Sequence, residues 1–430
     1  MTEWLKRTPR FVFLLYTSLL AFATYFCTYA FRKPYQAVTY EGLSLWGMDL
    51  KTSLVVSQLI GYALSKWLGV KLCSEVKPNQ RMISLIGLVV FSELMLVCFG
   101  VLPCPLKMVS IFFNGLALGM IWGLIVLYLE GRRLTETLFA GLSCSYIISS
   151  GVVKDVGRWV ISSFGVDQFR MPAVTGLLFL PFFLVVVWLL NQIPEPTAED
   201  MSERVKRRPM NSNERKSFFK AFWVGICLQL VVYVFLMAFR DYRDSYSVDI
   251  IQNLGLQDKA GIFSRMEIWV AFAAMISLVV MNFFKPKRYG VTINIVIMLV
   301  GFILIGTSTF MLDKGVIDGF TWMVLAGIGG YLGFIPSDTV FYDRLISSTG
   351  SVGTAVFMAY VMDASGYTGS IVLQLTKESL AGQTTRLDFF RGYCYLLTWL
   401  GLAILLFNLV YFHCRTKNIR NKTKSELPEK

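Results

Sequence analysis

The chain is built from long apolar runs separated by short polar segments. Many of the runs exceed the ~18 residues that indicate a membrane-spanning helix, and they lack the strict alternation of β-barrel strands. Because a bilayer admits only helices or closed barrels, the runs predict helices. The pattern predicts twelve spans, at residues 11–38, 52–72, 82–103, 108–130, 137–163, 171–193, 218–241, 261–284, 290–311, 319–342, 352–376 and 388–413.

One polar stretch near the middle of the chain, residues 194–217, contains no leucine, isoleucine or aromatic residue. It predicts a cytoplasmic linker between an N-terminal six-helix bundle at residues 1–193 and a C-terminal six-helix bundle at residues 218–414. Residues 415–430 are basic, and we expect them to form a cytoplasmic tail. The predicted fold class is an all-α membrane protein with twelve transmembrane helices in two pseudo-symmetric six-helix bundles.

The two halves also resemble each other in sequence. The tripeptide Ala-Phe-Arg ends at Arg32 in the first half and at Arg240 in the second. A tyrosine precedes each arginine by seven positions, Tyr25 in one half and Tyr233 in the other. Repeats at equivalent places are typical of transporters that are built from two related bundles.

Composition agrees with a membrane protein, since 55% of the 430 residues are hydrophobic and only 16% are charged. Soluble domains carry about 25% charged residues. The net charge of +13 does not indicate nucleic-acid binding, because about 25 of the 41 lysines and arginines lie in the tails and even-numbered loops, as topology signals do. We expect both termini in the cytoplasm, the lipid bilayer as the surroundings, and a multi-pass location in a bacterial inner membrane.

Residue types that bind metals or act in catalysis are sparse. The eight cysteines form no Cys-x-x-Cys pair, and the single histidine, His413, ends the last apolar run. The sequence contains no metal-ligand motif, catalytic triad or nucleotide-binding loop. It therefore predicts neither an enzyme nor a bound metal or cofactor.

Seven cations fall inside the predicted spans, where a charge at mid-bilayer costs at least ~2.5 kcal/mol. Such side chains line a water-filled cavity, pair with acids, or extend to the interface. The seven are Arg32, Lys33, Lys66, Lys154, Arg158, Arg240 and Arg265. Extension to the interface suits Arg265, which lies near a span end, but it fits Arg32, Lys66 and Arg240 poorly.

Five acids also fall inside the spans: Glu93, Asp155, Glu267, Asp338 and Asp363. Asp155 and Arg158 are three residues apart, which predicts an ion pair along one helix, next to Lys154. Glu93 is the only charged residue of its span, and two interpretations of it remain. It is either an acid that takes up a proton or a group that packs between helices.

Aromatic and cationic residues share one helix face in each of the first two spans. The faces comprise Tyr25, Tyr29, Arg32 and Gln36 in span 1, and Tyr62 and Lys66 in span 2. With Arg240 from the second half they predict an oxyanion site, because arginine binds phosphate oxygens bidentately and tyrosines supply neutral donors. The alternative is ordinary packing of aromatic helix faces.

These residues resemble the organophosphate:phosphate antiporters of the major facilitator superfamily, which exchange glycerol-3-phosphate or hexose phosphates for inorganic phosphate. The resemblance rests on Tyr-x-x-x-Tyr-x-x-Arg-Lys in span 1, on Gly-Tyr-x-x-x-Lys in span 2, and on Phe-Arg in span 7. It extends to Met-Glu-Ile-Trp in span 8 and Gly-Tyr-Thr-Gly in span 11. The residues concerned are Tyr25, Tyr29, Arg32, Lys33, Tyr62, Lys66, Arg240, Glu267 and Tyr367.

The resemblance implies a role for each of these residues. Arg32, Arg240 and Lys66 would bind the phosphoryl group, and the additional hydroxyl donors would be Tyr25, Tyr29, Tyr62 and Tyr367. Lys33 would exchange ion pairs between Glu267 and an acid near the second arginine, such as Asp244. Where the family has a histidine in helix 5, this chain instead carries Lys154, Asp155 and Arg158.

The resemblance also implies the major facilitator fold and a secondary active transporter that works by alternating access, as a monomer. The expected substrate is a small organic anion such as a sugar phosphate or glycerol phosphate, exchanged for inorganic phosphate. Two other interpretations remain. One is a proton-coupled organic anion symporter that uses Glu93, Asp338 or Asp363, and the other is a sugar-phosphate sensor that does not transport.

Overall fold

The computed structural model describes residues 1–129, 135–195, 212–256, 259–283, 290–337, 341–342, 344–345, 356–380 and 384–425. A short helix, α1 (Thr2–Arg7), precedes the long ones. The helices of the first half are α2 (Arg10–Thr28), α3 (Leu50–Glu75), α4 (Arg81–Val101), α5 (Cys104–Leu118), α6 (Ile121–Leu129), α7 (Thr135–Phe164) and α8 (Met171–Leu190). Those of the second half are α9 (Ser212–Ser245), α10 (Ser247–Asn253), α11 (Ile262–Phe283), α12 (Gly290–Asp313), α13 (Gly319–Ile335), α14 (Val356–Leu380) and α15 (Arg386–Ser425).

The all-α prediction is confirmed, because helix coincides with each predicted span in the described part of the chain, apart from the end of the first span. By length and composition, seven of the described helical segments are able to cross a membrane. Most of the predicted linker, residues 196–211, lies outside the described residues, and so does Asp338. The last helix continues to Ser425, into the stretch that the sequence predicts as a tail.

The prediction of one continuous helix over residues 11–38 is wrong. The α-helix ends at Thr28, and two 3-10 turns follow, at Tyr29–Phe31 and Pro34–Ala37. Proline has no N–H to donate, its ring clashes with the preceding turn, and it disfavours helical geometry at the residue before it. Pro34 therefore accounts for a break in the membrane-embedded part of the first helix. The predicted single face from Tyr25 to Gln36 does not exist as a regular helical stripe.

Polar side chains from two neighbouring helices bind backbone carbonyls that this break leaves without helical partners. Nδ2 of Asn114 donates to the carbonyl of Phe31 at 2.9 Å, and Nε2 of Gln58 donates to the carbonyl of Arg32 at 3.0 Å. Unsatisfied backbone groups are very costly in a membrane, so an irregular segment survives only where protein satisfies it. The side-chain amides of Gln58 and Asn114 therefore stabilise the irregular segment within the membrane.

A small antiparallel hairpin connects the break to α3. Its strands are β1 (Ser44–Leu45) and β2 (Met48–Asp49), with Leu45 opposite Met48. The two turn residues have positive φ, 52° at Trp46 and 78° at Gly47, which is the geometry that two-residue hairpins favour. Asp49 then caps α3 by accepting from the backbone N–H of Thr52 at 3.0 Å.

The chain forms two compact units. Unit 1 comprises Met1–Val205, Ser245–Ala271 and Gln374–Gly382, and unit 2 comprises Lys206–Asp244, Phe272–Leu373 and Gln383–Lys430. Glycines allow helices to approach closely within each unit. A Cβ on Gly61 of α3 would lie 2.2 Å from the carbonyl oxygen of Phe112 on α5. In unit 2, a Cβ on Gly301 of α12 would lie 2.5 Å from the carbonyl oxygen of Gly329 on α13.

Candidate functional site

Two predicted cationic ligands of unit 1 lie against one tyrosine ring. The guanidinium carbon of Arg32 is 4.1 Å from the ring centroid of Tyr62, and Nζ of Lys66 is 5.4 Å from the same centroid. Cation–π attraction stabilises both positions. Arg32 and Lys66 are each half-buried, so part of each charged side chain remains accessible. The structure thus brings together the cations of spans 1 and 2 that the sequence grouped.

Three tyrosines and a tryptophan surround these cations. The ring of Tyr29 lies 5.6 Å from the Arg32 guanidinium, and Tyr25 packs edge-on against Tyr29 with centroids 5.6 Å apart. Tyr25 also contacts Trp122 at 5.0 Å and hydrogen-bonds the side chain of Tyr62. The predicted hydroxyl donors of the first half therefore form one cluster with Arg32, although Tyr25 precedes the helix break and Arg32 lies within it.

A hydrogen-bonded chain of side chains lies behind this cluster. Nζ of Lys33 donates to Oε1 of Gln36 at 3.0 Å, and Nε2 of Gln36 donates to the hydroxyl of Tyr35 at 2.9 Å. That hydroxyl donates in turn to Oε1 of Gln58 at 3.0 Å. Sequence reasoning missed Tyr35 and Gln58 as parts of the site. Glutamines inside apolar spans, together with the proline in span 1, are the sequence features that could have indicated this hydrogen-bonded chain.

Arg240 of unit 2 has a different environment. Its Nη2 lies 3.0 Å from Oδ1 of Asp241, the next residue along the chain. Its guanidinium carbon lies 4.3 Å from the ring centroid of Phe334 on α13. The arginine is half-buried. The second predicted arginine ligand is thus paired with an acid that directly follows it in sequence.

Other predicted residues of unit 2 lie around Tyr233, the sequence counterpart of Tyr25. The ring of Tyr233 stacks on Phe334 with centroids 5.3 Å apart, and its hydroxyl donates to Oδ1 of Asp363 at 3.3 Å. Tyr367 is buried on the same helix as Asp363. The candidate proton acceptor Asp363 therefore has a hydroxyl partner in this conformation.

The three charges of α7 contact segments that follow α9. Nζ of Lys154 donates to Oγ of Ser247 at 3.0 Å. The carboxylate of Asp155 accepts from the backbone N–H groups of Phe263, at 3.4 Å, and Ser264, at 2.7 Å. These donors lie in the first turn of α11, where N–H groups lack helical partners and favour a negative charge. Asp155 therefore caps α11, and the guanidinium carbon of Arg158 lies 5.6 Å from the ring centroid of Phe263. The ion pair between Asp155 and Arg158 stays a prediction.

A cluster that the sequence did not indicate joins the start of α3 to two later segments of unit 1. Lys51 is fully buried and donates to Oδ2 of Asp249 at 2.5 Å and to the carbonyl of Gln36 at 3.1 Å. The hydroxyl of Thr52 donates to Oε1 of Glu378 at 2.9 Å. The sequence could not indicate this cluster, because each charged residue lies alone near a span end and its partner is about 200 or more positions away.

The remaining predicted acids are scattered. Glu267 is buried on α11, where its Cγ lies 3.0 Å from the place that a Cβ on Gly151 would take, and Asp244 is half-buried near the end of α9. Glu93 is buried at the middle of α4. Among the described residues, no group of three or more His, Cys, Asp or Glu side chains could hold a metal ion.

One protein-family model matches residues 34–415, and its description is "Family of unknown function (DUF5690)". No curated protein matches the chain in sequence. The matched range begins inside the first predicted span, so it leaves out Tyr25, Tyr29, Arg32 and Lys33 among the predicted site residues.

Solved structures of transporters are similar to the chain over nearly its whole length. The major facilitator superfamily proton:xylose symporter XylE matches 93% of this chain and 96% of its own, with a TM-score of 0.57 and 15% identity; an inward open structure of XylE is from E. coli. The nucleoside transporter NupG matches 91% and 98%, with a TM-score of 0.58 and 17% identity. A POT family transporter in complex with 5-aminolevulinic acid matches 94% and 96%, with a TM-score of 0.60 and 13% identity. The predicted major facilitator fold is confirmed.

Proposed function

The chain belongs to the DUF5690 family and has the major facilitator fold, and we propose that it is a secondary active transporter of a small organic anion. Transport proceeds by alternating access, and the protein works as a monomer in a bacterial inner membrane with both termini in the cytoplasm. The structural relatives are a proton:xylose symporter, a nucleoside transporter and a POT family transporter in complex with 5-aminolevulinic acid. These relatives support a transport function. The substrate class is inferred from the residues of this chain.

One observation supports an anionic substrate. Arg32 and Lys66 lie against the same ring of Tyr62, and each is half-buried. Two like charges held near one aromatic ring repel each other unless an anion or an acid compensates them. A guanidinium fork and an ammonium, with tyrosine hydroxyls beside them, match the oxygens of a phosphoryl group. The substrate class is therefore a phosphorylated organic molecule such as a sugar phosphate or glycerol phosphate.

Exchange for inorganic phosphate is the mode of transport that follows from this site. A ligand shifts a conformational equilibrium only by its different affinity for the two states. An anion that binds both cations stabilises the conformation that brings its donors closest together. Phosphate and an organic phosphate share the phosphoryl group, so either compensates the same charges. Arg240 is the sequence-predicted ligand from the second half and is tested in the same assay.

Counterflow in proteoliposomes tests this proposal. Vesicles that contain the purified protein are loaded with radiolabelled phosphate, and external phosphate, glycerol-3-phosphate, a hexose phosphate or a non-phosphorylated organic anion is added. We expect efflux of label with the phosphorylated compounds only. Arg32→Ala and Lys66→Ala should abolish it, whereas Arg265→Ala, which removes an exposed arginine of α11, should retain it.

Two results would contradict the proposal. Wild-type vesicles that release no label with any phosphorylated compound would exclude phosphate exchange. Efflux that persists in Arg32→Ala and Lys66→Ala would show that the cluster around Tyr62 does not bind the substrate. Binding of a sugar phosphate to the purified protein without any flux would favour the sensor instead.

A further inference from the structure

A carboxyl group is enclosed in the membrane-embedded core of unit 1. Glu93 lies near the middle of α4 (Arg81–Val101) and is only 5% exposed. Both of its carboxyl oxygens are buried, and neither has a hydrogen-bond partner among the residues that the structure describes. No described ion pair includes it. In the described structure no hydrogen bond joins it to the tyrosines and cations of the candidate anion site.

The space for this carboxyl group is provided by a glycine on α8. A Cβ on Gly176 would lie 2.0 Å from Oε2 of Glu93, so any larger residue there would collide with the acid. The same point lies 3.2 Å from Cδ1 of Phe31. Glu93 therefore occupies a pocket between α4, α8 and the break in the first helix.

The elements around this pocket supply few ionisable groups. The sequence of α8 contains none, and α4 itself contributes only Arg81 and Cys98 besides Glu93. Nη1 of Arg81 donates to the carbonyl of Leu127, and Nζ of Lys107 on α5 donates to the carbonyl of Phe99. The other ionisable groups on elements packed against α4 are Cys104 on α5, Tyr128 on α6, Tyr29 at the break and Lys77 just before Pro78–Gln80.

None of these groups forms a hydrogen bond or ion pair with Glu93 in the described structure. An ionised carboxylate without a partner is extremely unfavourable in an apolar, membrane-embedded pocket. The neutral acid loses far less on burial, because it carries no net charge. We infer that Glu93 is a proton-binding site of this protein, and that it holds its proton in the conformation described.

The position of the acid links this proton to the anion site. Nδ2 of Asn114 donates both to the carbonyl of Phe31 and to the carbonyl of Ser92, the residue before Glu93. Phe31 directly precedes Arg32. Loss of the proton would place a negative charge next to the segment that carries Arg32, and the segment would have to rearrange. This part of the inference rests on the proposed function: the proton moves together with the anion.

Infrared spectroscopy tests the proton site without any substrate. Difference spectra of the lipid-reconstituted protein are recorded while the pH is raised stepwise. We expect a protonated carboxyl C=O band that persists above the pH at which exposed carboxyls ionise, and its loss in Glu93→Gln. The matched control is Glu75→Gln, which makes the same change at the exposed end of α3 and should leave the band intact. Identical bands in wild type and Glu93→Gln would overturn the inference.

Transport tests the coupling. Glutamine imitates the protonated acid, so Glu93→Gln should lose the stimulation of phosphate exchange that an inward proton gradient gives the wild type. Stimulation equal to that of the wild type would exclude Glu93 as the coupling group. If the wild type shows no counterflow, the proposed function fails, while the infrared result still decides the proton site.

Discussion

The two arginines of the Ala-Phe-Arg repeat stand in unlike surroundings. Arg32 lies within the break of the first helix and against the ring of Tyr62, with Lys66 on the same ring. Arg240 lies inside an uninterrupted helix, α9, and is paired with Asp241. The repeat is thus preserved in sequence, but the charged neighbours of its two arginines differ.

The difference shows that the two positions of the repeat have unlike neighbours. In unit 1 the arginine lies against the ring of Tyr62 beside a second cation, whereas in unit 2 the next residue along the chain is its acidic partner. The break is the cause in the first case, because Pro34 prevents the helical geometry that α9 keeps around Arg240. Four experiments break or sharpen this comparison.

The largest effect should come from removing the arginine of unit 1. Each hydrogen bond to a charged group contributes about 1.5–3 kcal/mol, so losing a bidentate pair corresponds to roughly a hundredfold or larger loss of affinity. Arg32→Ala should therefore abolish phosphate counterflow, while Arg240→Ala, whose charge is shared with Asp241, should weaken it by about tenfold. The half-saturating concentration of external phosphate measures both. Equal losses would show that the two surroundings are functionally equivalent.

The next effect concerns the stability of the break, which has no counterpart in α9. Asn114→Ala leaves the carbonyls of Phe31 and Ser92 without their amide partner, which costs about 1–3 kcal/mol of unfolding free energy. A lower thermal unfolding midpoint in detergent measures the loss. Asn253→Ala, at an exposed position at the end of α10, is the control and should leave the midpoint unchanged. A midpoint unaffected by Asn114→Ala would mean that the backbone carbonyls at the break do not depend on the Asn114 amide for stability.

A smaller effect should separate the ring of Tyr62 from its hydroxyl. Tyr62→Ala removes the cation–π contacts with Arg32 and Lys66, worth about 0.5–2 kcal/mol, or about three- to thirtyfold in affinity. Tyr62→Phe retains the ring and loses only the hydroxyl that bonds Tyr25. Counterflow at graded phosphate concentrations should rank the affinities as wild type, Phe, then Ala. A phenylalanine variant as weak as the alanine variant would assign the role to the hydroxyl alone.

The smallest effect should come from removing the acidic partner of Arg240 in unit 2. Asp241→Asn removes the carboxylate that pairs with Arg240 and leaves a side chain of nearly the same size. A half-buried pair contributes about 1 kcal/mol or less, so phosphate affinity should rise by no more than about fivefold. Competition between labelled and unlabelled phosphate measures the change. A decrease would mean that Asp241 positions the arginine and does not compete with the anion.

Much of this fold could be predicted from the sequence, because membrane spans are long and apolar and their loops are short. The grouping of Arg32 with Tyr62 and Lys66 was also predictable, since helical spacing and charges in apolar spans are local signals. The partners of Asp155 and Lys51 were not, because each lies about 100 or more positions away in the chain. Neither was the pocket of Glu93, which depends on one glycine in another helix.

The hairpin before α3 has a consequence for how deep the cluster lies. Its turn leaves the indole of Trp46 76% exposed, and tryptophan side chains settle at the level of the lipid headgroups. A helix rises 1.5 Å per residue, so Tyr62 lies about 18 Å and Lys66 about 24 Å along α3 from Leu50. The hydrocarbon core is about 30 Å thick. With Trp46 at one interface and α3 along the bilayer normal, Tyr62 would lie within about 3 Å of the bilayer midplane.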